Sequence, residues 1–241
     1  MKAIILAAGR GSRLLPLTET RPKCLLPIAG RSVLQRQLDT LEAGGITETV
    51  VVTGFMTALV EEEIARRTGP MQVTPFFNPF FQIADNLASC WMVRDHMGSD
   101  FLLINGDTLF EAALLDDVLK SPAQPIQVTI DRQDSYDSDD MKVQLDGTRL
   151  RAIGKTLPAD QADAESIGFL RFMGAGPAIY RAKLEQMMRT EAGVSSWFLK
   201  AIDAIADTTG QVGTLSIEGR RWHEMDTVED FNALNEIFAN E

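Results

Sequence analysis

The sequence predicts an α/β protein, with a Rossmann-like, doubly wound and mostly parallel sheet followed by a small antiparallel β annex. Over residues 1–125, short apolar runs alternate with amphipathic stretches, which is typical of parallel strands covered by helices on both faces. Over residues 126–241, several β-rich runs precede the closing helices, which favours antiparallel pairing. A chain of 241 residues can bury one full core, so we predict a single domain made of these two halves.

The first half begins with the strand Lys2–Ala7, an apolar run that ends at a glycine-containing loop. Ser32 is placed to cap a helix over 33–41, and the pair Gly44-Gly45 is placed to end it. The further elements predicted here are a strand over 49–52, a helix over 57–67, a strand over 73–77, a helix that follows residue 85 and ends near 98, and a strand over 101–104.

The second half is predicted to open with three strands. They cover 125–130, 141–145 and 149–153, and Asp146-Gly147 forms a hairpin turn between the last two. The closing elements predicted are helices over 177–189 and 195–206, a strand over 212–217 and a helix over 228–239.

Charge and composition exclude several classes of partner. The formal net charge of −11 argues against a nucleic-acid partner, whose phosphates need a basic face, but it leaves small anionic substrates open. No apolar run reaches the roughly 18 residues of a membrane span, so we expect a cytoplasmic protein without a membrane partner. Cys24 and Cys90 make neither a disulfide framework nor a zinc pattern, and we expect both to be buried. The oligomeric state is left open, a homodimer included.

A glycine-containing loop follows the first strand, where an α/β sheet places its ligand crevice. Gly9 and Gly11 can take positive φ and so turn successive backbone N–H groups towards one anion, while Arg13 adds a forked cation that suits phosphate oxygens. The loop alone is weak evidence, because a tight turn beside an exposed arginine has the same composition. The residues predicted to bind the nucleotide here are Leu6, Ala7, Ala8, Gly9 and Gly11.

Residues 6–30 strengthen this interpretation, because Lys23 follows the loop at a fixed distance between two prolines. The segment resembles the nucleotidyltransferase superfamily pattern L-A-A-G-x-G-x-R-L-x-P-L-T-x-x-x-P-K-C-L-L-P-x-x-G. The resemblance implies the nucleotide-diphospho-sugar transferase type of fold and an enzyme that transfers a nucleoside monophosphate from an NTP with release of pyrophosphate. It also implies that Arg13 contacts the departing phosphates and that Lys23 neutralises charge at the reacting phosphates.

Two aspartates are candidate ligands for Mg²⁺. Asp107 follows the most apolar strand, and carboxylates at that end of a strand face the crevice. Asp226 lies in the segment W-H-E-M-D-T, directly before the last predicted helix, where Asp226 or Thr227 could also serve as a plain helix cap. The family resemblance implies that a strand-end aspartate and a W-x-E-x-D-T motif supply its metal pair.

The segment before the middle helix bears on the choice of nucleotide. Asn86 and Ser89 form an N-x-x-S element, which resembles that of bacterial choline-phosphate, phosphonate and inositol-phosphate cytidylyltransferases within the superfamily. The resemblance implies CTP as substrate, with both side chains at the base or ribose. The alternative is that Asp85 or Asn86 only caps the helix.

The annex is expected to bind the acceptor. By resemblance, Lys155 holds the acceptor phosphate, and Glu165, Gly168 and Trp222 line the acceptor pocket. Residues 131–140 hold five aspartates and one tyrosine, groups that would suit a cationic acceptor. The alternative is that Lys155 and this loop are only solvated.

The leading hypothesis is therefore a Mg²⁺-dependent cytidylyltransferase that acts on a small phosphorylated acceptor, such as a phosphocholine-like compound or an aminoalkylphosphonate. In this reading residues 1–125 are the nucleotide-binding half, and residues 126–241 are the acceptor-binding annex with the closing helices. The alternative enzyme is a sugar-1-phosphate nucleotidyltransferase that uses UTP, GTP or dTTP. A ligand-sensing relative without catalysis would be expected to lose Lys23 or a metal aspartate, and this chain keeps them.

Overall fold

The computed structural model describes residues 1–239. Its strands are β1 Lys2–Ala7, β2 Pro27–Ile28, β3 Arg31–Ser32, β4 Glu48–Thr53, β5 Gln72–Phe77, β6 Phe101–Asn105, β7 Thr108–Phe110, β8 Ile126–Asp131, β9 Lys142–Asp146, β10 Arg149–Gly154, β11 Ala164–Phe172, β12 Val212–Ser216 and β13 Trp222–Glu224. Its α-helices are α1 Val33–Ala43, α2 Thr57–Ala65, α3 Asn86–Met92, α4 Ala112–Lys120, α5 Gly176–Met187, α6 Glu191–Val194, α7 Phe198–Thr209 and α8 Val228–Ala239. None of the helices within these residues has the length and apolarity that a membrane crossing requires.

The chain forms two compact units, each built from separate segments. The first unit consists of Met1–Gln82, Ile104–Asp116 and the segment from Arg220 onward, and the second consists of Ile83–Leu103 and Asp117–Gly219. These units follow the chain differently from the predicted halves, because β13 near the C-terminus pairs with β7 in the first unit. That all residues form a single domain stays a prediction.

The first unit is a parallel βα arrangement, as predicted. Strand β4 pairs in parallel with both β1 and β5, so that the carboxyl ends of these strands lie at one edge. Helix α1 begins with a capping box, in which Ser32 and Gln35 exchange hydrogen bonds between side chain and backbone, and it ends at Gly44. The first unit also contains a buried apolar cluster. Its members are Leu14, Leu26, Ile28, Val33, Leu109, Met225 and Leu234.

The second unit contains a mixed sheet, so the prediction of an antiparallel annex is wrong in one pairing. The strand order is β11-β8-β12-β10-β9, and β12 runs parallel to β8 while the other adjacent pairs are antiparallel. Strand β12 follows helices α5 to α7 along the chain, and it lies beside β8 on the side opposite to β11. The fold is thus α/β with a mixed pattern of strand pairing.

The sequence analysis missed several elements, among them β11, α4, β7 and β13. Strand β11 was not predicted for two reasons. Gly168, at φ +69°, lies where the register between β11 and β8 shifts, and the buried Arg171 interrupts the apolar run of the strand. Helix α4 had a readable signal, since Leu114, Leu115 and Val118 are buried at helical spacing. The short pair of β7 and β13 joins segments more than 100 residues apart, which no local pattern reports.

Candidate active site

The site in the first unit centres on the ammonium group of Lys23. Its Nζ donates a hydrogen bond to Asp107 Oδ2 at 2.5 Å and a second one to Asp226 Oδ1. Arg13 Nη2 donates to the other oxygen of Asp226 at 2.8 Å. Two cations and two carboxylates from three distant segments therefore meet at one point, and their roles at phosphates and a metal stay predictions.

The electrostatics of Lys23 follow from this enclosure. Burial lowers the pKa of Lys23, but the charges of Asp107 and Asp226 and the hydrogen bonds they accept outweigh it, so that the pKa lies above the ordinary value of a lysine. The ammonium is thus positively charged at any physiological pH. Burial also raises the pKa of the neighbouring Cys24 thiol to about 12, which keeps this cysteine from acting as a nucleophile, as expected.

Gly11 is required for the approach of Lys23 to the loop. Its φ is +71°, and a Cβ atom on it would lie 2.9 Å from the Cβ of Lys23. Thr18 Oγ1 donates a hydrogen bond to the carbonyl of Gly11 at 2.9 Å and holds the turn. Gly9 does not take a positive φ, so the expectation that both glycines would do so is wrong for Gly9. Only one left-handed residue is needed, because the chain turns immediately into the short 3₁₀ helix Ser12–Leu14.

Asp107 is positioned by backbone contacts on both sides. Gly106 donates its N–H to the carbonyl of Leu6 at 2.9 Å, and a Cβ atom on Gly106 would lie 2.6 Å from that oxygen. The buried side chain of Gln37 donates through Nε2 to the carbonyls of Asn105 and Thr108, both at 2.8 Å. The loop that carries Asp107 is thereby fixed against both β1 and α1.

Asp226 is available to face Lys23 because another residue caps helix α8. Thr227 Oγ1 accepts a hydrogen bond from the N–H of Asp230, and Asp230 Oδ2 accepts from the N–H groups of Asp226 and Thr227. The helix therefore begins with a capping box in which Thr227 is the cap. Asp226 is therefore not the cap of this helix. Its carboxylate accepts hydrogen bonds from Arg13 and Lys23 instead.

Glu224 is a residue of this cluster that the sequence analysis missed. Carboxylate oxygens of Asp107, Glu224 and Asp226 all lie within 4.8 Å of one another. The signal was present, because two acids spaced two apart in an extended segment point to the same side. The other oxygen of Asp107, Oδ1, is buried without a hydrogen-bond partner. Oxygen donors of this kind suit Mg²⁺, which is held by one or two carboxylates together with substrate phosphates.

An open cavity of about 280 Å³ lies over this cluster. Leu6, Ala7, Gly9, Gly11, Arg13, Lys23, Asp107 and Asp226 line it. Ala8 does not; it is buried, and its carbonyl accepts a hydrogen bond from the N–H of Phe55 at 3.0 Å. The lining thus contains most of the residues predicted for the nucleotide phosphates, and the volume accommodates a polyphosphate chain.

The predicted nucleotide residues Asn86 and Ser89 lie in the second unit. Asn86 Oδ1 accepts a hydrogen bond from the N–H of Phe198 at 2.7 Å and so caps helix α7, whereas Asp85 caps α3. Ser89 is buried, with 4% of its surface exposed. Both side chains have a structural part in this unit, and their contact with a nucleotide stays a prediction.

The predicted acceptor residues Lys155, Glu165 and Gly168 also belong to the second unit. Lys155 Nζ lies 5.2 Å from the ring centroid of Trp197 and 3.4 Å from Asp139 Oδ1, so its ammonium is held between a ring and a carboxylate. Trp222 belongs to the first unit, where it pairs with Phe110 across β13 and β7. The acceptor-binding roles of these residues stay predictions.

Comparison with known proteins places the chain in a class. Residues 2–138 match the nucleotidyl transferase family. The choline-phosphate cytidylyltransferase of Streptococcus pneumoniae is 25% identical over all of both chains. The CMP-5'-(3-aminopropyl)phosphonate synthase of Streptomyces rubellomurinus is 35% identical to this chain over 51% of its length. The matched segment spans only 19% of that protein. The structure of the inositol-1-phosphate CTP transferase from T. maritima superimposes with a TM-score of 0.81, at 20% identity, over 98% of this chain and 95% of that one.

The match over residues 2–138 covers more than half of the chain and so defines its class. The chain belongs to the nucleotidyl transferase family, and it is a nucleotidyltransferase. The predicted resemblance to this superfamily and to its cytidylyltransferase branch is confirmed.

Replacing Lys23 tests its place at the centre of the site. We expect Lys23→Met to lower the turnover of nucleotidyl transfer by about 10²-fold or more, because a charge that stabilises the reacting phosphates is lost. The matched control is Lys2→Met, which removes an ammonium that pairs with Glu48 at 3.0 Å outside the cavity. Steady-state kinetics and thermal unfolding of both variants make the measurement. Wild-type turnover in a folded Lys23→Met enzyme would contradict the assignment.

Proposed function

We propose that the protein is a Mg²⁺-dependent cytidylyltransferase that transfers CMP from CTP to a small phosphorylated acceptor and releases pyrophosphate. The observation that carries this proposal is the ammonium of Lys23, held between Asp107 and Asp226 beneath the turn at Gly11. The names of the two relatives and of the structural neighbour, all of them CMP or CTP enzymes, support the choice of nucleotide.

The chemistry needs no nucleophile from the protein. An oxygen of the acceptor phosphate attacks the α-phosphorus of CTP and forms the new P–O bond, while the bond from the α-phosphorus to the bridging oxygen breaks. The electron pair of that bond leaves with pyrophosphate. Such a reaction depends on positioning and on stabilisation of negative charge.

The residues of the first unit supply that stabilisation. The guanidinium of Arg13, half exposed at the cavity, suits the departing phosphates through its forked donors. The more enclosed ammonium of Lys23 suits the phosphate oxygens at the reacting centre. Asp107, Glu224 and Asp226 would hold the magnesium ion, which neutralises phosphate charge when bound.

The nucleotide preference is tested by product analysis. Incubation with each of CTP, UTP, GTP, ATP and dTTP, together with Mg²⁺ and phosphocholine, should release pyrophosphate fastest from CTP, because the relatives from Streptococcus pneumoniae and Streptomyces rubellomurinus are a cytidylyltransferase and a CMP-phosphonate synthase. Mass spectrometry of the product should show a CDP-linked compound. A clear preference for UTP or dTTP with a sugar 1-phosphate would assign the protein to the sugar nucleotidyltransferases instead.

The metal dependence is tested at the acidic cluster. We expect activity to vanish with excess chelator and to return with Mg²⁺, and Asp107→Asn or Asp226→Asn to remove most of it, since each takes a charge from a site that must bind a dication. The control is Asp100→Asn, an acid that accepts a hydrogen bond from Gly174 N–H in the other unit. Binding of Mn²⁺, followed by electron paramagnetic resonance, should weaken in the first two variants only. Full activity of either one in the presence of chelator would refute the metal assignment.

The acceptor is proposed to carry a positive charge besides its phosphate or phosphonate. Glu165 lies on β11, which pairs with β8 on one side and with β9 on the other. It is opposite Asp131 at the end of β8 and opposite Lys142 at the start of β9. Its carboxyl is half-buried, and burial together with the charges of Asp140, Asp131 and Asp137 raises the pKa of Glu165 to about 7, although a hydrogen bond from Gln133 lowers it.

The nearby lysine does not neutralise this group of acids. Lys142 is buried, and its Nζ donates to the backbone carbonyls of Asp137 at 2.7 Å and Asp140 at 3.3 Å. It thereby holds the acidic loop over the end of the sheet in this unit. Carboxylates that repel one another in a half-buried place would gain from a cationic group brought by the acceptor. Phosphocholine and aminoalkylphosphonates have that character.

Glu165→Gln tests the acceptor proposal. We expect the KM for phosphocholine to rise about tenfold, equivalent to about 1.4 kcal/mol, while the KM for CTP stays unchanged. In the wild type the KM for phosphocholine should also rise as the pH falls through about 7, because Glu165 is then protonated and loses its charge. That additional pH dependence should be missing in the variant, whereas titration of the substrate itself affects both enzymes alike.

The matched control is Glu191→Gln at an exposed position of the same unit. Steady-state kinetics at several pH values with phosphocholine and with neutral glucose 1-phosphate make the comparison. An equal effect of Glu165→Gln on both acceptors, or a preference for the neutral one, would show that Glu165 does not recognise a cation.

A further inference from the structure

One side chain of α1 departs from the apolar pattern of its helix. Gln37 has 1% of its surface exposed, and it shares the buried face of α1 with Val33, Leu34, Leu38 and Leu41. Positions at this spacing form the apolar stripe through which a helix packs on a core, and α1 packs against β7. A buried amide in that stripe requires a reason other than helix packing.

The amide of Gln37 is satisfied on its nitrogen only. Its Nε2 donates to the carbonyls of Asn105 and Thr108, both at 2.8 Å, whereas its Oε1 accepts no hydrogen bond within residues 1–239. Both donors of one NH₂ group are thus in use. A buried acceptor without a partner costs free energy, which the bonds of the nitrogen must offset. The contribution of this residue therefore lies at the two carbonyls.

The two carbonyls flank a residue of the acidic cluster. Asn105 ends β6 and Thr108 begins β7, so the amide holds both ends of a tight turn with Gly106 and Asp107 at its corner. A single nitrogen bonded to both carbonyls sets the distance between these ends, and with it the direction in which the side chain of Asp107 leaves the turn. Groups that orient a metal ligand in this way contribute to metal affinity without touching the ion.

The turn is also bonded to the segment that carries the other two acids. Thr108 is the partner of Glu224 in the pairing of β7 with β13. The N–H of Met225 donates to the carbonyl of Asp107 at 3.2 Å, and Asp226 follows directly. Any displacement of the turn would therefore be passed to all three carboxylates of the cluster.

Other contacts share the task of fixing the cluster. Gly106 N–H donates to the carbonyl of Leu6 at 2.9 Å, and Asp230 Oδ2 accepts from the N–H of Asp226 at 2.9 Å. These contacts do not involve Gln37, so its loss should loosen the cluster without dismantling it. The expected effect is a weakened metal site and not an absent one.

We propose that Gln37 is a positioning residue that sets the affinity of the acidic cluster for its divalent cation by fixing the turn of Asp107. It acts through the backbone and not by contact with the ion. The inference rests on the proposed function in one respect, that Asp107, Glu224 and Asp226 hold Mg²⁺. It depends neither on the choice of nucleotide nor on the acceptor.

Gln37→Met removes the donors and keeps a side chain of similar length. The matched control is Gln35→Met in the same helix, because the side chain of Gln35 accepts a hydrogen bond from the N–H of Ser32 in the capping box of α1. Both substitutions thus remove a hydrogen bond from α1, but only the first removes one from the turn. Asp107→Asn is the reference for loss of a metal ligand.

Mn²⁺ binding to the protein alone, followed by electron paramagnetic resonance, is the first measurement. Gln37→Met should weaken Mn²⁺ binding by about tenfold or more, in the range found when a group that orients a metal ligand is removed. Gln35→Met should bind Mn²⁺ like the wild type, whatever each substitution does to the unfolding temperature. Gln37→Asn, whose amide is one methylene too short to reach both carbonyls, should also bind Mn²⁺ more weakly, and it serves where the methionine variant does not fold.

The dependence of turnover on Mg²⁺ is the second measurement. The Mg²⁺ concentration that gives half-maximal activity should rise in Gln37→Met by the same factor as the Mn²⁺ dissociation constant, and saturating Mg²⁺ should restore most of the turnover. Asp107→Asn should not recover in this way. A purely structural role of Gln37 would lower the amount of folded enzyme and leave the half-saturating Mg²⁺ concentration unchanged.

The outcomes separate this inference from the proposed function. If Asp107→Asn loses Mn²⁺ but folded Gln37→Met binds it like the wild type, the positioning role is wrong and the metal assignment stands. Equal weakening by Gln35→Met would assign the effect to general destabilisation and also overturn the role. A wild type that binds no Mn²⁺ would overturn the metal assignment and this inference together. A preference for a nucleotide other than CTP would leave the inference intact, because the Mn²⁺ titration contains no nucleotide.

Discussion

The contact of one ammonium with two carboxylates organises the candidate site. Lys23 reaches the two aspartates because Gly11, which it contacts most closely, has no side chain. Gly106 lets the loop of Asp107 lie directly against β1. Thr227 caps α8 and so leaves the carboxylate of Asp226 available. Each of these local features is ordinary by itself. Together they place like charges at a short distance and keep a cation between them, so that the repulsion between the two aspartates is offset before any substrate arrives.

The α/β elements of the first unit were predictable because their signals are local. A capping box at Ser32, glycines after α1 and apolar runs for β1 and β4 each lie within a few residues of the element that they define. The convergence of Arg13, Lys23, Asp107 and Asp226 has no local signal, and only the resemblance to a known family predicted it. Glu224 stood in the recognised motif and was still missed, although its spacing of two residues from Asp226 was a signal for it.

The second unit was less predictable for a physical reason. Strand β11 pairs with both β8 and β9, yet a register shift at Gly168 and polar residues at both ends break the alternation that marks a strand. The parallel pairing of β12 with β8 joins two segments that three strands and three helices separate along the chain, which no local pattern reports. Lys155 and Glu165 could be named only through family resemblance, since their surroundings, a tryptophan ring and a group of aspartates, come together only in the folded unit.

The order in which the segments are made has a consequence for biosynthesis. Arg13 and Asp226 are 213 residues apart, and the segment from Arg220 onward completes the first unit. On a ribosome the whole second unit is therefore synthesised before the first unit receives its last strand and helix. Until then Lys23 and Asp107 lack their third charged partner, and the apolar cluster around Leu14 and Leu109 lacks Met225 and Leu234. A nascent chain therefore passes through a stage in which apolar side chains of its earliest segment are not yet covered by its latest residues.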